Sequence, residues 1–214
     1  MSGRDAGPLG HGDTRDDTRD DATTRGPALE PVEISAGTLH LRPWRPDDAP
    51  AVFAACQDPD IQRFTSVPSP YTLADAEGFV GVICPLGWAS GTAAHLAVVD
   101  ATTGGLLGSV ALHDLRDRDS LPGHAPGGSG EIGYWCLPSA RGRGVTSAAV
   151  QAVCRWGFGA LDLRLIRWLA RTGNEPSRRV ALRAGFTLDS GHRRLPHPRT
   201  GELLDFWAGH LTAP

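Results

Sequence analysis

Residues 131–145, EIGYWCLPSARGRGV, decide the fold because they join a strand pattern, a glycine-rich turn and a helix start within one short stretch. The first residues form an apolar and aromatic run that is typical of a β-strand. Glycines follow at positions 142 and 144, and an amphipathic pattern then predicts a helix over 145–161. A glycine-rich turn that opens a helix predicts an anion site, because unpaired amides at a helix N-terminus attract negative charge.

The expected donors at this turn are the backbone amides from Arg143 to Ser147. Glycine at 142 and 144 lets a ligand approach the main chain closely, and phosphate is the natural anion for such a turn. All 21 cationic residues of the chain are arginine, so a phosphate-loop lysine and a lysine Schiff base are both excluded. The turn also lacks the GxGxxG spacing of a Rossmann dinucleotide site.

Charge is distributed unevenly along the chain. Residues 141–199 contain twelve arginines and three acidic residues, whereas residues 1–30 carry a net charge of −3. The basic segment favours an anionic ligand, but composition leaves open a solvated face, a nucleic-acid surface and a phosphorylated small ligand. The arginines that could neutralise phosphates are Arg141, Arg143, Arg178, Arg179 and Arg183.

Hydrophobic periodicity predicts the order of elements outside the central stretch. Strands are predicted at 38–42, 95–99, 106–112, 131–137, 165–170, 186–190 and 203–210. Helices are predicted over 46–57, 72–88, 145–161 and 176–184, and residues 117–130 are expected to form a long loop. This order predicts an α/β (α+β) fold in which helices pack on a mixed central sheet.

The N-terminal segment differs in composition from the rest of the chain. Residues 1–36 are predicted to be a disordered acidic tail, because residues 1–30 are rich in Gly, Asp, Thr and Arg and have little to bury. Residues 37–214 are predicted to form one domain. No apolar run is long enough to span a membrane and the N-terminus is unlike a signal peptide, so a cytoplasmic location is expected.

Neither a metal centre nor a disulfide framework is predicted. The eight histidines show no HxxxH or HExxH spacing. The cysteines form no CxxC pair and are expected to be buried thiols; they are Cys56, Cys84, Cys136 and Cys154.

The central stretch resembles the acetyl-CoA pyrophosphate motif of the GNAT superfamily of N-acetyltransferases, in which an Arg-Gly-rich turn follows a strand and opens a long helix. Residues 39–44, LHLRPW, before Asp47 and Asp48 are similar to the family's first strand and helix. Asn174 with Ser177, and the AGF triplet at 184–186, resemble its later landmarks. The resemblance spans residues 37–212 and is greatest to the branch that acetylates the N-terminal (alanine) amines of ribosomal proteins.

The resemblance implies a GNAT-like fold with a mostly antiparallel sheet, and transfer of acetyl from acetyl-CoA to a primary amine by direct attack in a ternary complex. The implied cofactor-binding residues are Trp135, Cys136, Leu137, Arg141, Gly142, Arg143, Gly144, Val145, Thr146, Ser147 and Asn174. Tyr134 and Trp135 have core packing as the alternative role. Two positions depart from the family pattern: Thr146 replaces a small residue, and Ser147 with Ala148 replaces a common Thr-Glu pair.

Two residues are candidates for the chemistry. Glu131, at the start of the strand, is the candidate base for the incoming ammonium, although an amine could lose its proton to solvent instead. Ser177 is placed by the resemblance near the sulfur, where its hydroxyl could protonate the leaving thiolate. Asn174 and Ser177 also fit a helix N-cap, and the two roles are compatible.

Three classes of function remain open. The first is an acetyl-CoA-dependent N-acetyltransferase, whose acceptor is a protein N-terminus or a small-molecule amine. The second is an acyl-CoA-binding module with little or no turnover. The third, a nucleic-acid binder, is disfavoured because the basic segment contains an apolar helix face and no aromatic platform. No membrane partner is expected, and a homodimer is compatible with the sequence.

Overall fold

The structure is a computed structural model of the chain, and it describes residues 27–116, 128–197 and 200–214. Most of the predicted tail lies in residues 1–26, outside the described residues, and most of the predicted loop at 117–130 lies in residues 117–127, which are also outside them. None of the described helices is long and apolar enough to cross a membrane.

The centre of the fold is a mixed sheet. Its strands are β1 Ile34–Ala36, β2 Leu39–Pro43, β3 Ala94–Asp100, β4 Leu106–Arg116, β5 Gly128–Cys136, β6 Leu163–Arg171, β7 Thr187–Leu188, β8 Arg193–Pro196 and β9 Leu203–Thr212. The strands lie in the order β1-β2-β3-β4-β5-β6-β9-β7, and β8 pairs with β9. Among the described strands, β5 and β6 pair in parallel and every other pair is antiparallel. The predicted fold class is confirmed.

Helices cover both faces of this sheet. They are α1 Ala49–Ala55, α2 Pro59–Phe64, α3 Leu73–Gly78, α4 Cys84–Ala89, α5 Val145–Ala160 and α6 Glu175–Ala184, and a π-helical turn over Phe79–Ile83 joins α3 to α4. The longest, α5, packs on β4, β5 and β6. Side chains of α5 and α6 pack into the main core, which includes Leu112, Ile132 and Ile166. The opposite face is covered by α1, α2 and α3, which pack around Ala97 and Val99.

The sheet opens between its two parallel strands. Residues Gly128–Ile132 of β5 pair with Leu163–Trp168 of β6. Beyond this point the end of β5, 133–136, pairs with β4 alone, and the end of β6, 169–171, pairs with β9 alone. Strands that stop pairing leave backbone groups free on the sides that face each other. The separation therefore creates a gap lined by unpaired strand edges.

The structure differs from the sequence prediction at the end of the predicted tail. Residues 34–36 form β1 and pair with 39–41 of β2, so the last part of the segment assigned to the tail belongs to the folded body. The apolar side chains of Leu29, Val32 and Ile34 explain this difference, because all three pack against the main core. The amide of Leu29 also donates to the carbonyl of Trp88 at 2.8 Å.

Candidate active site

A cavity of about 310 Å³ lies at the end of β5, where this strand no longer pairs with β6. One wall is formed by Tyr134, Trp135 and Cys136 at the end of β5, and continues through the glycine-rich turn to the start of α5. A second wall is formed by α6, and a third by α2 with Thr65. The cavity therefore lies where the sheet is open and three helices meet.

The turn presents the N-terminus of α5 to this cavity. Gly144 is the N-cap residue with φ +78°, a left-handed conformation that favours glycine, and no side chain of the described residues caps the helix. The first helical residues Val145, Thr146 and Ser147 all line the cavity. The first hydrogen bond within α5 is donated by the amide of Ala148 to the carbonyl of Gly144 at 3.0 Å. The amides of the three residues before Ala148 therefore have no partner within the helix. This geometry suits an anion in the cavity.

Ser177 lies at the junction of three elements. Its amide donates to Asn174 Oδ1 at 3.2 Å, so Asn174 caps α6 as the sequence predicted. Its hydroxyl accepts a hydrogen bond from Trp168 Nε1 at 3.2 Å and donates to Tyr134 Oη at 3.0 Å. Both Asn174 and Ser177 line the cavity. The serine hydroxyl is therefore held in one orientation at the cavity wall.

Tyr134 extends this hydrogen-bond network. Its hydroxyl donates to the backbone carbonyl of Ser177 at 3.1 Å, and burial raises its pKa to about 12 despite the hydrogen bonds with Ser177 and Trp168. The phenol is therefore protonated at neutral pH. The sequence suggested core packing or a cofactor contact for this residue, and the structure places it both against the core and on the cavity.

Glu131 lies away from the cavity-lining residues, on the part of β5 that still pairs with β6. Its neighbours across the sheet are His113 on β4 and Arg167 on β6, and its Oε1 is 3.9 Å from His113 Nε2. Burial raises the pKa of Glu131, although the charge of Arg167 opposes this. Burial also lowers the pKa of His113, so its imidazole is neutral at pH 7.

The predicted cofactor residues do not all contact the cavity. Those that line it are Trp135, Cys136, Arg141, Gly142, Gly144, Val145, Thr146, Ser147 and Asn174. Leu137 and Arg143 are not among the lining residues. The amide of Leu137 already donates to the carbonyl of Leu107 at 2.9 Å, so it cannot pair with a ligand.

The predicted phosphate-binding arginines also divide. Arg141, Arg179 and Arg183 line the cavity. The guanidinium carbon of Arg178 instead lies over the ring of Trp207, 5.7 Å from its centroid. The guanidinium of Arg141 is already paired, with its Nη2 2.6 Å from Asp58 Oδ1 and its Nη1 3.2 Å from Asp60 Oδ2. Sequence reasoning missed these carboxylates, and no local pattern links positions that are more than eighty residues apart.

The cysteines are free thiols, and three of them are buried as expected, whereas Cys136 is half-buried at the cavity. Within the described ranges, no group of three or more His, Cys, Asp or Glu residues is placed to hold a metal ion.

Comparisons with known proteins identify the family and the fold of the chain. The family model for the acetyltransferase (GNAT) domain matches residues 38–187. In Bacillus subtilis, the "Putative ribosomal N-acetyltransferase YdaF" is 36% identical over 91 residues, which cover 42% of this chain and 45% of that protein. The chain thus aligns with less than half of the length of this relative.

Solved structures show the same fold. A structure of RimL, a ribosomal L7/L12 alpha-N-protein acetyltransferase in complex with coenzyme A, superposes with a TM-score of 0.71 at 21% identity, covering 85% of this chain and 98% of that one. Mycobacterium smegmatis RimJ in complex with CoA-disulfide gives 0.68 at 22% identity, covering 86% and 87%.

The predicted family, fold and class of enzyme, an acetyl-CoA-dependent N-acetyltransferase, are confirmed at the level of the family. Since the family model matches well over half of the residues, the chain belongs to the acetyltransferase (GNAT) family, whose enzymes use acetyl-CoA.

Proposed function

We propose that the protein transfers the acetyl group of acetyl-CoA to a primary amine by direct attack within a ternary complex. The observation that carries this proposal is the cavity in the open sheet, which has the uncapped N-terminus of α5 on one side and the oriented hydroxyl of Ser177 on another. Acetyl transfer from a phosphorylated thioester requires an anion site for the phosphates and a proton donor for the leaving thiolate, and this cavity offers a candidate for each.

The cofactor diphosphate is assigned to the amides between Arg143 and Ser147. Arg179 and Arg183 lie on the same cavity and add positive charge without a lysine. Thr146 adds a hydroxyl that can donate to a phosphate oxygen. In this proposal the hydroxyl offsets the crowding caused by the branched side chain that departs from the family pattern.

The pantetheine arm is assigned to the free edge of β5. Residues 133–136 have no partner on the β6 side, so an extended arm with amide groups can pair there as a strand would. Trp135 and Cys136 line this edge, and Asn174 faces the arm from α6. Leu137 is left out of the assignment, because its amide is bound to β4.

The leaving thiolate is assigned to Ser177. As the amine nitrogen bonds to the thioester carbon, the carbon–sulfur bond breaks and the sulfur takes up a proton. The Ser177 hydroxyl supplies that proton by turning from Tyr134 Oη toward the sulfur. The protonated Tyr134 turns from the Ser177 carbonyl to return a proton to the serine, and it regains its own from solvent. Trp168 keeps the serine oxygen in place through its indole N–H.

Glu131 is assigned as the base that takes the amine proton through an intervening water molecule. It lies outside the cavity, so direct contact with the ammonium is not part of this proposal. Its raised pKa strengthens it as a base. Loss of the proton to solvent is the alternative route, and it makes the contribution of Glu131 small.

The acceptor is assigned to a protein N-terminus. YdaF is named as a ribosomal N-acetyltransferase, and RimL is named as an alpha-N-protein acetyltransferase of ribosomal L7/L12, which points to an N-terminal amine. This acceptor agrees with the predicted cytoplasmic location. Small-molecule amines remain the competing acceptor class.

The test is a thiol-release assay with acetyl-CoA and two panels, one of peptides that begin with Ser or Ala and one of small amines. The proposal expects amine-dependent release of free CoA with at least one peptide. Saturable binding of acetyl-CoA without thiol release from either panel would instead identify an acyl-CoA-binding module.

The role of Ser177 is tested in the same assay. Ser177→Ala is expected to lower kcat by about a hundredfold, the lower end of the range for a lost general acid. Ser35→Ala, at an exposed position in β1, is the matched control and should leave kcat unchanged. An unchanged kcat in Ser177→Ala would remove this residue from the mechanism.

A further inference from the structure

Helix α2 is tied to both sides of the gap by arginines. Arg141, from the turn that follows β5, contacts Asp58 and Asp60 at the start of α2. Arg171, the last residue of β6, donates through Nη1 to the carbonyl of Arg63 at 3.3 Å. One tie therefore comes from the turn after β5 and the other from the end of β6.

The ties matter because α2 is short. The helix covers Pro59–Phe64, and a helix of this length has little stability of its own in water. Of its residues, Ile61 is buried at 3% exposure and anchors it to the smaller core. The same helix contributes Ile61 and Phe64 to the cavity wall. Its position therefore sets the shape of that wall.

Two carboxylates already face the single Arg141 guanidinium at this contact. Burial disfavours the ionised form of Asp58, but the guanidinium of Arg141 and the amides of α2 outweigh it and lower the pKa of this carboxyl. The Asp58 side chain is 15% exposed. Both terminal nitrogens of the Arg141 guanidinium already contact carboxylates, so a cofactor phosphate would compete with two anions for this cation. Among the described residues, no ion pair engages the other cationic groups on the cavity, which are the side chains of Arg179 and Arg183, or the backbone amides of the turn.

We propose that Arg141 is a positioning residue that holds α2 in place as the acceptor-side wall of the cavity and does not bind the cofactor phosphates. This inference rests on the proposed function, because it divides the cavity between cofactor and acceptor. The turn and α6 are assigned to the cofactor, which leaves the α2 wall to the acceptor. The assignment replaces the sequence expectation that Arg141 binds the cofactor.

Two variants break the contact from opposite sides. Arg141→Gln removes the cation, and Asp58→Asn removes the main anion while keeping an oxygen that can cap α2 through the amides of Asp60 and Ile61. The double variant completes the cycle. Arg164→Gln is the matched control, because Arg164 forms an exposed pair with Asp162 at 2.9 Å and does not line the cavity.

Three readouts apply to each variant: amide hydrogen exchange over 59–65, the Kd of CoA by calorimetry, and the KM of a peptide that begins with Ser. Both single variants are expected to increase exchange and peptide KM by about fivefold, the upper range for an exposed ion pair. The CoA Kd should stay within about twofold, a change below 0.5 kcal/mol. The double variant should be no worse than either single variant.

Two results would overturn the inference. One is a CoA Kd that rises about tenfold or more in Arg141→Gln but not in Asp58→Asn, because that pattern identifies a phosphate ligand. The other is unchanged exchange over 59–65 in both variants. Exchange and CoA binding require no turnover, so they decide the role of Arg141 even if no amine is acetylated and the proposed function fails.

Discussion

The two faces of the sheet are built differently. On the face covered by α5 and α6, apolar side chains such as Leu96, Leu112 and Ile166 are completely buried, and α5 is a continuous helix of 16 residues. On the opposite face the helices are short, and polar groups enter the structure, including the Arg42–Asp48 ion pair and the imidazole of His95.

The two faces therefore differ in how they are stabilised and in which titratable groups they hold. The α5 face holds the fold together by apolar burial, and it presents the helix N-terminus that we assign to the cofactor. The other face holds side chains whose pKa values are shifted, among them His95, lowered to about 4 by burial, His113 and Glu131. Large apolar side chains on the first face should therefore contribute more to the free energy of unfolding than the polar side chains of the second face.

The largest expected effect is a difference in the free energy of unfolding between variants at two neighbouring positions of β4 whose side chains lie on opposite faces of the sheet. Leu112→Ala should lower the free energy of unfolding by about 3 kcal/mol, because it leaves a cavity under α5. His113→Ala, at a partly exposed side chain, should lower it by about 0.5 kcal/mol. Urea unfolding measures both, and equal losses would contradict the division between the faces.

The next effect concerns the ion pair on the second face. Arg42 donates to both oxygens of Asp48 at 2.7 and 2.8 Å, and both side chains are nearly buried. Asp48→Asn should lower the free energy of unfolding by about 2 kcal/mol, in the range of a lost hydrogen bond to a charged group. A loss below about 0.5 kcal/mol would place this pair with ordinary surface pairs.

The pH dependence of this pair has a defined sign. Burial raises the pKa of Asp48, but hydrogen bonds from Arg42 and the amide of Arg45 outweigh it, so the pKa lies below its ordinary 3.8 in the folded protein. The stabilisation is therefore present above 3.8 and is lost as the pH falls through the lowered value. The stability difference between wild type and Asp48→Asn should shrink below that pH.

A smaller effect tests the turn on the first face. Gly144→Ala and Gly37→Ala both place a side chain at positive φ with open space around it, so each should cost about 1 kcal/mol of stability. Only Gly144→Ala should weaken CoA binding, by about tenfold, because its backbone precedes the amides assigned to phosphate. Equal CoA affinity in both variants, measured by calorimetry, would argue against a role for the turn.

The smallest effect is expected at Glu131. Because it lies outside the cavity, Glu131→Gln should lower kcat/KM by only about fivefold, less than the loss of a direct general base. The wild-type rate should fall as the pH drops through the raised pKa of Glu131, and the variant should lose this dependence. A loss of a hundredfold or more in a pH–rate series would show direct contact with the amine.

The sequence was informative where structure is encoded locally. The strand, turn and start of α5 follow from the glycines at 142 and 144 and from the helix periodicity, and the Asn174 cap follows from its spacing to Ser177. These features depend on residues within a few positions of one another. The family resemblance extended them to the whole fold.

Features that depend on distant residues were not predicted. The contact of Arg141 with α2 joins positions more than eighty apart, and the Tyr134–Ser177 hydrogen bond joins positions 43 apart. Sheet pairing also added β1 and β8, whose short and partly polar sequences lack a strand signal. Tertiary contacts supply the partners that local patterns cannot specify.

The other assignments depend on the proposal that the turn between β5 and α5 binds the diphosphate of coenzyme A. Its most direct test is calorimetric titration of the full chain with CoA and with pantetheine, which has the same arm but no phosphates. The expected result is saturable binding of CoA at one site, with an affinity for pantetheine that is weaker by about a hundredfold or more. Equal affinities, or no binding of CoA, would contradict it.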